Sequence, residues 1–195
     1  ARELGEHRPE LGGGPRGEGS RLTLSEMEGI AAALPEVEAW DPVQLLDPAE
    51  ARRGGRTATV RVFGASERSA RVWERPASRG EHFAAADVAR TARVALIGTT
   101  VERALFGGVD PVGEDILVGG VSFHVIGVLE AMGTDAHGLD RDNEILVPIS
   151  TLMRRVMNVD TIRGAKILVK DPSRVAAVGK EIARLLRERH AIAAG

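Results

Sequence analysis

Five side chains that could hold a metal ion or transfer protons lie in one polar segment. Imidazole and carboxylate groups are ligands for zinc and calcium. The spacing, however, fits neither a calcium-binding loop of the EF-hand type nor the helical pattern of a zinc protease. We therefore interpret residues 133–143 as a solvated polar loop and predict no metal site. The alternative hypothesis is a small metal-binding protein or hydrolase that uses the loop of residues 135–144. The five side chains are Asp135, His137, Asp140, Asp142 and Glu144.

No other pattern predicts catalysis. The serines at positions 66, 69, 78, 122, 150 and 173 show no nucleophile elbow. Gly98 follows an apolar run, but the further glycines of a dinucleotide site and the Lys-Ser/Thr of a phosphate loop are missing. His124 stands beside Ile126 and Val128 on a predicted strand, which favours a packed or half-exposed histidine. We predict no catalytic residue and no bound cofactor.

The composition narrows the class of protein. The chain has no cysteine, which excludes disulfides, thiolate metal sites and cysteine nucleophiles. Its net charge of −2 predicts no broad attraction to nucleic acid or anionic lipid. No run approaches about 18 consecutive apolar residues, so no membrane-spanning helix is predicted. Such a pattern fits a soluble protein or a segment between two membrane helices.

Local patterns predict an α+β fold with a mixed sheet and packed helices. We expect strands over residues 37–43 (broken by Pro42), 57–65, 94–97, 115–118, 121–129, 144–147 and 165–169, and one near residues 71–73. Residues 1–20, rich in glycine, are interpreted as a flexible leader, and residues 47–55 as a loop. The two glycines at 119–120 predict a tight hairpin turn.

Helix signals lie between these strands. Helices are expected after Thr23, after Thr99, from Ile149 and after Asp171, and Gly107 is placed to end the second. In the last helix, Val175, Val178, Ile182, Leu185 and Leu186 form the expected inner face. The start signals are the capping-box pairs Thr23 with Glu26 and Thr99 with Glu102, and Asp171 followed by Pro172.

An ordered series of short motifs runs through the middle of the chain. It consists of Gly98 after a strand, Leu105-Phe106-Gly107 at a helix end, Asp110-Pro111-Val112-Gly113 as a turn, and Val125-Ile126-Gly127-Val128 in a hairpin. This series resembles the periplasmic core domain of MacB-like, or FtsX-like, ABC transporter permeases. Flanking matches extend the resemblance over about residues 21–190: Leu22-Thr23, Leu34-Pro35, Gly80, Phe83, Asp87, Val147-Pro148 and the closing helix up to His190. Glu81 and Glu114 depart from the pattern.

The resemblance implies a periplasmic or extracytoplasmic domain of a bacterial inner-membrane protein, without catalysis of its own. It implies as partners the parent's transmembrane helices, a separate cytoplasmic ATPase, and an extracytoplasmic adaptor or lipoprotein. We expect no nucleic-acid partner and a monomeric isolated domain. It also implies two lobes, one from about residues 21–65 and 144–190 and one inserted at about 66–143, with the two chain ends near each other.

Overall fold

The structure is a computed structural model that describes residues 22–190, so the predicted leader at residues 1–20 lies outside the described residues. The elements confirm the α+β prediction. In chain order they are α1 (Leu24–Ala33), β1 (Val37–Arg53), β2 (Arg56–Ala65), α2 (Ser69–Val72), β3 (Ala77–Gly80), α3 (Ala85–Ala89), β4 (Val94–Ile97), α4 (Thr99–Phe106), β5 (Asp115–Val118), β6 (Val121–Leu129), β7 (Glu144–Pro148), α5 (Ile149–Thr151), a π-helix (Leu152–Met157), β8 (Gly164–Val169), a 3-10 turn (Pro172–Arg174) and α6 (Val175–Arg189).

Six strands pair in a closed ring, which we call the barrel. Their order is β2-β7-β4-β6-β5-β1, and β1 pairs back to β2. The β2–β7 and β4–β6 pairs are parallel and the other pairs in the ring are antiparallel. Apolar side chains fill its core, and the fully buried ones include Val62, Leu105, Phe123 and Ile145.

A second apolar cluster lies beside the barrel, in what we call the terminal layer. It consists of α1, the first half of β1, β8 and α6. Met27 and Ile30 of α1 pack with Trp40 of β1 and Val178 of α6. Strand β1 links the two parts because its first half pairs with β8 and its second half with β2 and β5.

The predicted division into two lobes remains a prediction. The barrel core draws on both sides of the expected boundaries, since Val62 and Ile145 pack in one cluster with Ile97 and Val125. The two ends of the described chain do meet. His190 Nε2 lies 2.9 Å from Glu26 Oε1, and Arg189 donates to the carbonyl oxygen of Glu26 at 3.1 Å.

Strand β1 corrects two predictions. A short strand broken at Pro42 and a loop at residues 47–55 were expected, but β1 continues through both to Arg53. Pro42 lies where β1 pairs with β8 alone, so its missing N–H leaves no second ladder incomplete. Residues Glu50 to Arg53 pair with Thr59 to Arg56 of β2. Alternate side chains of a strand face opposite sides, so the polar ones can face solvent while Ala51 is buried.

Three further local predictions are wrong in detail. Residues around Arg71 form the helix α2 rather than a strand. The cap of α4 is Gly98, not Thr99, and Glu102 pairs instead with Arg79. A side chain at Gly98 would lie 2.2 Å from the carbonyl oxygen of Asp142, so this close approach requires glycine where the helix begins. Val175, expected on the inner face of α6, is 56% exposed.

Several local patterns are confirmed. The Thr23–Glu26 capping box is formed. Asp171 accepts from the Ser173 amide at 2.9 Å, but it caps the 3-10 turn Pro172–Arg174, and α6 begins after Arg174 without a side-chain cap. Gly119 and Gly120 have φ of +56° and +82°, as the predicted two-residue hairpin turn requires. Residues 133–143 form a loop outside the named elements, with a single bridge between Thr134 and Asp140. Short-range signals of this kind depend on neighbouring residues alone.

Candidate functional site

The side chain of Arg75, a residue that the sequence patterns did not identify, contacts both ends of the polar loop. It follows α2 and is 4% exposed. Its guanidinium donates to Glu144 Oε2 at 2.7 Å and to Asp142 Oδ1 at 3.1 Å. It also donates to the carbonyl oxygens of Arg141 at 2.8 Å and Glu130 at 3.1 Å. One buried cation therefore ties both ends of the loop together.

Glu144 completes a cluster of alternating charges at the start of β7. Its carboxylate is 2% exposed, and its Oε1 lies 2.8 Å from Arg61 Nη2 and 3.1 Å from Arg141 Nε. With Arg75 on Oε2, three guanidinium groups surround one carboxylate. A buried carboxylate needs such partners, since leaving it unpaired costs several kcal/mol, about 3–5 by analogy with other buried pairs.

Backbone amides of the loop hold Asp142. Its two carboxylate oxygens accept from the amides of Met132 and Gly133, each at 2.9 Å. Burial opposes ionisation of Asp142, but these amides and the Arg75 guanidinium together outweigh it and hold the pKa of the carboxyl below its usual value. Asp142 is therefore an anion that shapes the loop.

The remaining candidates of the metal hypothesis are spread along the loop. Asp140 accepts from the Thr100 hydroxyl at 2.8 Å and from the Asp142 amide at 2.8 Å. Asp135 accepts from the amides of His137 and Leu139, and the pKa of its carboxyl is lowered by these backbone hydrogen bonds. Within residues 22–190 no three metal-ligating side chains converge. The loop is ordered by arginines and amides that occupy the oxygens a metal would use.

A cleft of about 230 Å³ lies next to this network, between β1, β8 and the α2 segment. At one side the Asp41 carboxylate, 1% exposed, accepts from the Ser66 amide at 2.8 Å, the Ser66 hydroxyl at 2.6 Å and Trp73 Nε1 at 2.9 Å. Burial raises the pKa of Asp41 against the effect of these donors. Lys166 stands 4.5 Å from the centre of the Trp73 ring. Glu144, Arg75 and Arg141 line the other side.

Two histidines, His124 and His82, each have a ring nitrogen close to another polar side chain. His124 is exposed, as a half-exposed strand histidine would be, and its Nδ1 lies 3.0 Å from Asp115 Oδ1. His82 Nε2 lies 3.1 Å from the Ser69 hydroxyl, but Ser69 is 1% exposed. Burial lowers the pKa of His82. Ser69 lines the cleft described above, and its contact with His82 joins α2 to the chain after β3.

The structure thus brings Asp142 and Glu144 together and leaves Asp135 and His137 at the outer end of the loop. Sequence reasoning missed the cations that hold them, Arg61 and Arg75. Arg61 could have been suspected, because it is a charged residue in an alternating strand. Arg75 lies in an irregular stretch with no periodic signal, so nothing local distinguishes it from a surface arginine.

The family model and the known proteins that match this chain indicate the same family. The model described as the MacB-like periplasmic core domain matches residues 5–185. The macrolide export ATP-binding/permease protein MacB of Azoarcus sp. (strain BH72) is 36% identical over 169 residues, covering 87% of this chain and 24% of that protein. The pyoverdine export ATP-binding/permease protein PvdT of Pseudomonas syringae pv. syringae (strain B728a) is 33% identical over 177 residues, covering 90% and 27%. This chain spans about a quarter of the length of these relatives.

Solved structures share the fold. The extracellular domain of the noncanonic ABC-type transporter YknZ from Gram-positive bacteria superposes with a TM-score of 0.77 at 21% identity, covering 88% of this chain and 86% of that one. The periplasmic region of MacB from Actinobacillus actinomycetemcomitans gives 0.74 at 18% identity, covering 87% and 75%. None of the helices described here is long and apolar enough to cross a membrane. By sequence and by fold, this chain belongs to the family of MacB-like periplasmic core domains.

Proposed function

We propose that this domain transmits movement between the membrane helices of an ABC transporter permease and a partner outside the membrane, without chemistry of its own. The observation that carries the proposal is the meeting of the two described ends, where His190 of the last helix lies beside Glu26 of the first. Ends that emerge together suit a domain inserted between two neighbouring membrane helices. The relatives named as macrolide and pyoverdine exporters favour outward transport.

The arrangement of the charged groups supports a mechanical role. Around Glu144 the carboxylate oxygens are occupied by Arg61, Arg75 and Arg141, which leaves no free base or ligand there. Such a saturated network stiffens the barrel at its junction with the polar loop. The cleft of about 230 Å³ that Asp41, Trp73 and Arg75 line leaves space beside the network for the surrounding segments to move. A lever needs bodies that stay packed while they move relative to one another.

The proposed partners follow from the family. A cytoplasmic ATPase supplies energy, the parent's own helices carry the movement, and an adaptor or lipoprotein receives it outside the membrane. Transmission requires that the partner bind one conformation more tightly than the other, because a partner indifferent to conformation shifts no equilibrium. We place this contact on the polar loop of residues 133–143, at the outer side of the predicted inserted lobe.

Crosslinking tests the lever. Glu38 of β1 and Arg71 of α2 form an exposed ion pair that bridges the two predicted lobes. Cysteines at both positions in the full transporter, joined by a short bifunctional reagent, are expected to abolish transport and leave ATP binding intact. The matched control places cysteines at Glu50 and Thr59, which are directly opposite each other on β1 and β2 within one predicted lobe. Continued transport with the first crosslink complete contradicts the proposal.

A further inference from the structure

The cleft beside Asp41 has the lining of a binding site for a small amphipathic molecule. Its volume of about 230 Å³ equals about eight water molecules at roughly 30 Å³ each, which is less than drug-sized ligands require. Most of the lining is apolar, and charged residues complete it. The apolar side chains include Val43, Phe63, Met132 and Leu146. Such a cleft suits a short apolar chain that carries one polar head group.

Lys166 is the cation of the cleft that has no acidic partner. Within residues 22–190, no carboxylate oxygen lies within 4.0 Å of its ammonium group. On the sheet, Lys166 of β8 stands directly opposite Asp41 of β1, where opposite charges ordinarily pair. The Asp41 carboxylate instead accepts from Ser66 and Trp73. The charge of Lys166 is therefore free to bind an anion.

Asp41 fixes the aromatic ring against which this cation rests. Its Oδ2 accepts from Trp73 Nε1 at 2.9 Å, which orients the indole. The Lys166 ammonium then lies 4.5 Å from the centre of the Trp73 ring. An ammonium group has more donors than one aromatic face can accept, so it can still donate to the oxygen of a ligand.

The two carboxylates that line the cleft do not favour a cationic ligand. Asp41 accepts hydrogen bonds on both of its oxygens, from Ser66 and from Trp73. Glu144 has guanidinium groups at both of its oxygens, those of Arg61 and Arg75. The unpaired charge in the cleft is thus positive, and it lies beside apolar surface.

We propose that this cleft binds a small carboxylate with a short apolar chain, whose head group contacts Lys166 and whose chain lies against Phe63 and Leu146. Such a ligand would contact β1 and β8 on one side and the segment after α2 on the other. It would hold these parts together and so favour one position of the lever. That consequence rests on the proposed function, whereas the binding itself does not.

Titration of the chain with hexanoate tests the site, with NMR detection of the indole N–H groups of isotope-labelled protein. The chain has two tryptophans: Trp73 lines the cleft, and Trp40 lies in the core of the terminal layer. We expect the Trp73 signal to shift with a dissociation constant of about 1 mM, and the Trp40 signal to change much less. Each buried methylene strengthens binding about fourfold, so acetate should bind far more weakly than hexanoate.

Variants and a change of head group decide whether Lys166 is responsible. Lys166→Met removes the charge at similar length and should weaken hexanoate binding about tenfold, the effect of losing one hydrogen bond to a charged group. Lys166→Arg keeps the charge and should keep the binding. The control is Lys180→Met, on the exposed surface of α6 outside the cleft, which should leave binding unchanged. Hexylammonium should not shift Trp73. Melting temperatures show that the variants are folded.

Three results overturn the proposal: no shift of Trp73 with hexanoate, an equal shift with hexylammonium, or equal effects of Lys166→Met and Lys180→Met. N-acetyl-leucine identifies the source of the carboxylate, because it presents the same chemistry as the end of a peptide chain. If it binds more tightly than hexanoate, the ligand is a chain terminus, and if more weakly, a free carboxylate. All of these titrations use the chain alone, so their failure is separate from failure of the crosslinking test in the full transporter.

Discussion

The barrel and the terminal layer are stabilised in different ways. In the barrel, strands pair in a closed ring around side chains such as Leu105 and Phe123, both 0% exposed. In the terminal layer, α6 buries only Val178 fully, and Leu185 and Leu186 stay partly exposed. A segment with few buried contacts opens at lower free-energy cost than a core segment. The difference indicates that α6 opens at lower free-energy cost than the core of the barrel.

The charged residues of the barrel are also more deeply buried than those of the terminal layer. Arg75 and Glu144 at the barrel are 4% and 2% exposed and belong to a network in which each charge has a partner. On α6, Arg184 pairs with Glu181 and Glu188 in open water. Breaking a buried pair strongly destabilises a protein, whereas an exposed pair contributes at most about 1 kcal/mol. Both comparisons can be tested by substitution.

The largest effect is expected at Arg75. Arg75→Ala leaves Glu144 and Asp142 buried without their shared cation, and should lower the free energy of unfolding by about 3–5 kcal/mol. Urea titration measures the loss. Arg71→Ala, which breaks the exposed pair with Glu38, is the control and should cost no more than about 1 kcal/mol. Equal losses would mean that the barrel network is no more important for stability than a surface pair.

The same truncation in the two parts should give the next largest difference. Leu105→Ala in the barrel core removes a fully buried side chain and should cost about 2–5 kcal/mol. Leu185→Ala on α6 removes a side chain that is only partly buried, so about 1 kcal/mol is expected. Unfolding curves of the two variants provide the comparison. If Leu185→Ala costs as much as Leu105→Ala, the terminal layer is as firmly packed as the barrel.

Two glycines allow a smaller test of backbone strain. Gly113, in the turn before β5, has φ of +91°, which a branched side chain resists, so Gly113→Val should cost about 1–3 kcal/mol. Gly164 of β8 has ordinary backbone angles and open space around it, so Gly164→Val should change stability by less than about 0.5 kcal/mol. Thermal melts distinguish the two. An unchanged melting temperature for Gly113→Val removes the argument that this turn requires glycine.

No effect at all is expected from metal ions. The oxygens of Asp142 and Glu144 already accept from amides and guanidinium groups, so micromolar calcium or zinc should leave the melting temperature unchanged. A ligand that binds the native state must raise it. A rise of several degrees that Asp142→Asn abolishes would revive the metal hypothesis for the polar loop.

Local signals in the sequence predicted much of the fold correctly. The Thr23–Glu26 capping box, the turn at Gly119 and Gly120 and the strand Val94–Ile97 all form as expected. Each of these depends on residues within a few positions of one another. The resemblance of the ordered motifs from Gly98 to Val128 predicted the family, because their order and spacing carry information that no single motif does.

Predictions that needed a distant partner failed. Pro42 was expected to break a strand, but pairing with β8 alone makes it harmless. Thr99 was expected to cap α4, but the approach of the Asp142 backbone requires Gly98 there. In both cases a contact between residues far apart in sequence overrides the local preference. Local sequence patterns do not reveal such contacts.

By itself, the sequence determined the α+β class, most element positions, the absence of cysteine chemistry and the family. Only the tertiary structure decided which charges meet. It placed Arg75 between Asp142 and Glu144, 67 and 69 positions away along the chain, and so turned a candidate metal loop into an ion-pair network. Within residues 22–190 it also left Arg154 and Arg155 exposed without acidic partners. The physical reason is that the Coulomb energy of two charges depends on their separation in space and on their exposure to water, and neither is written in their separation along the chain.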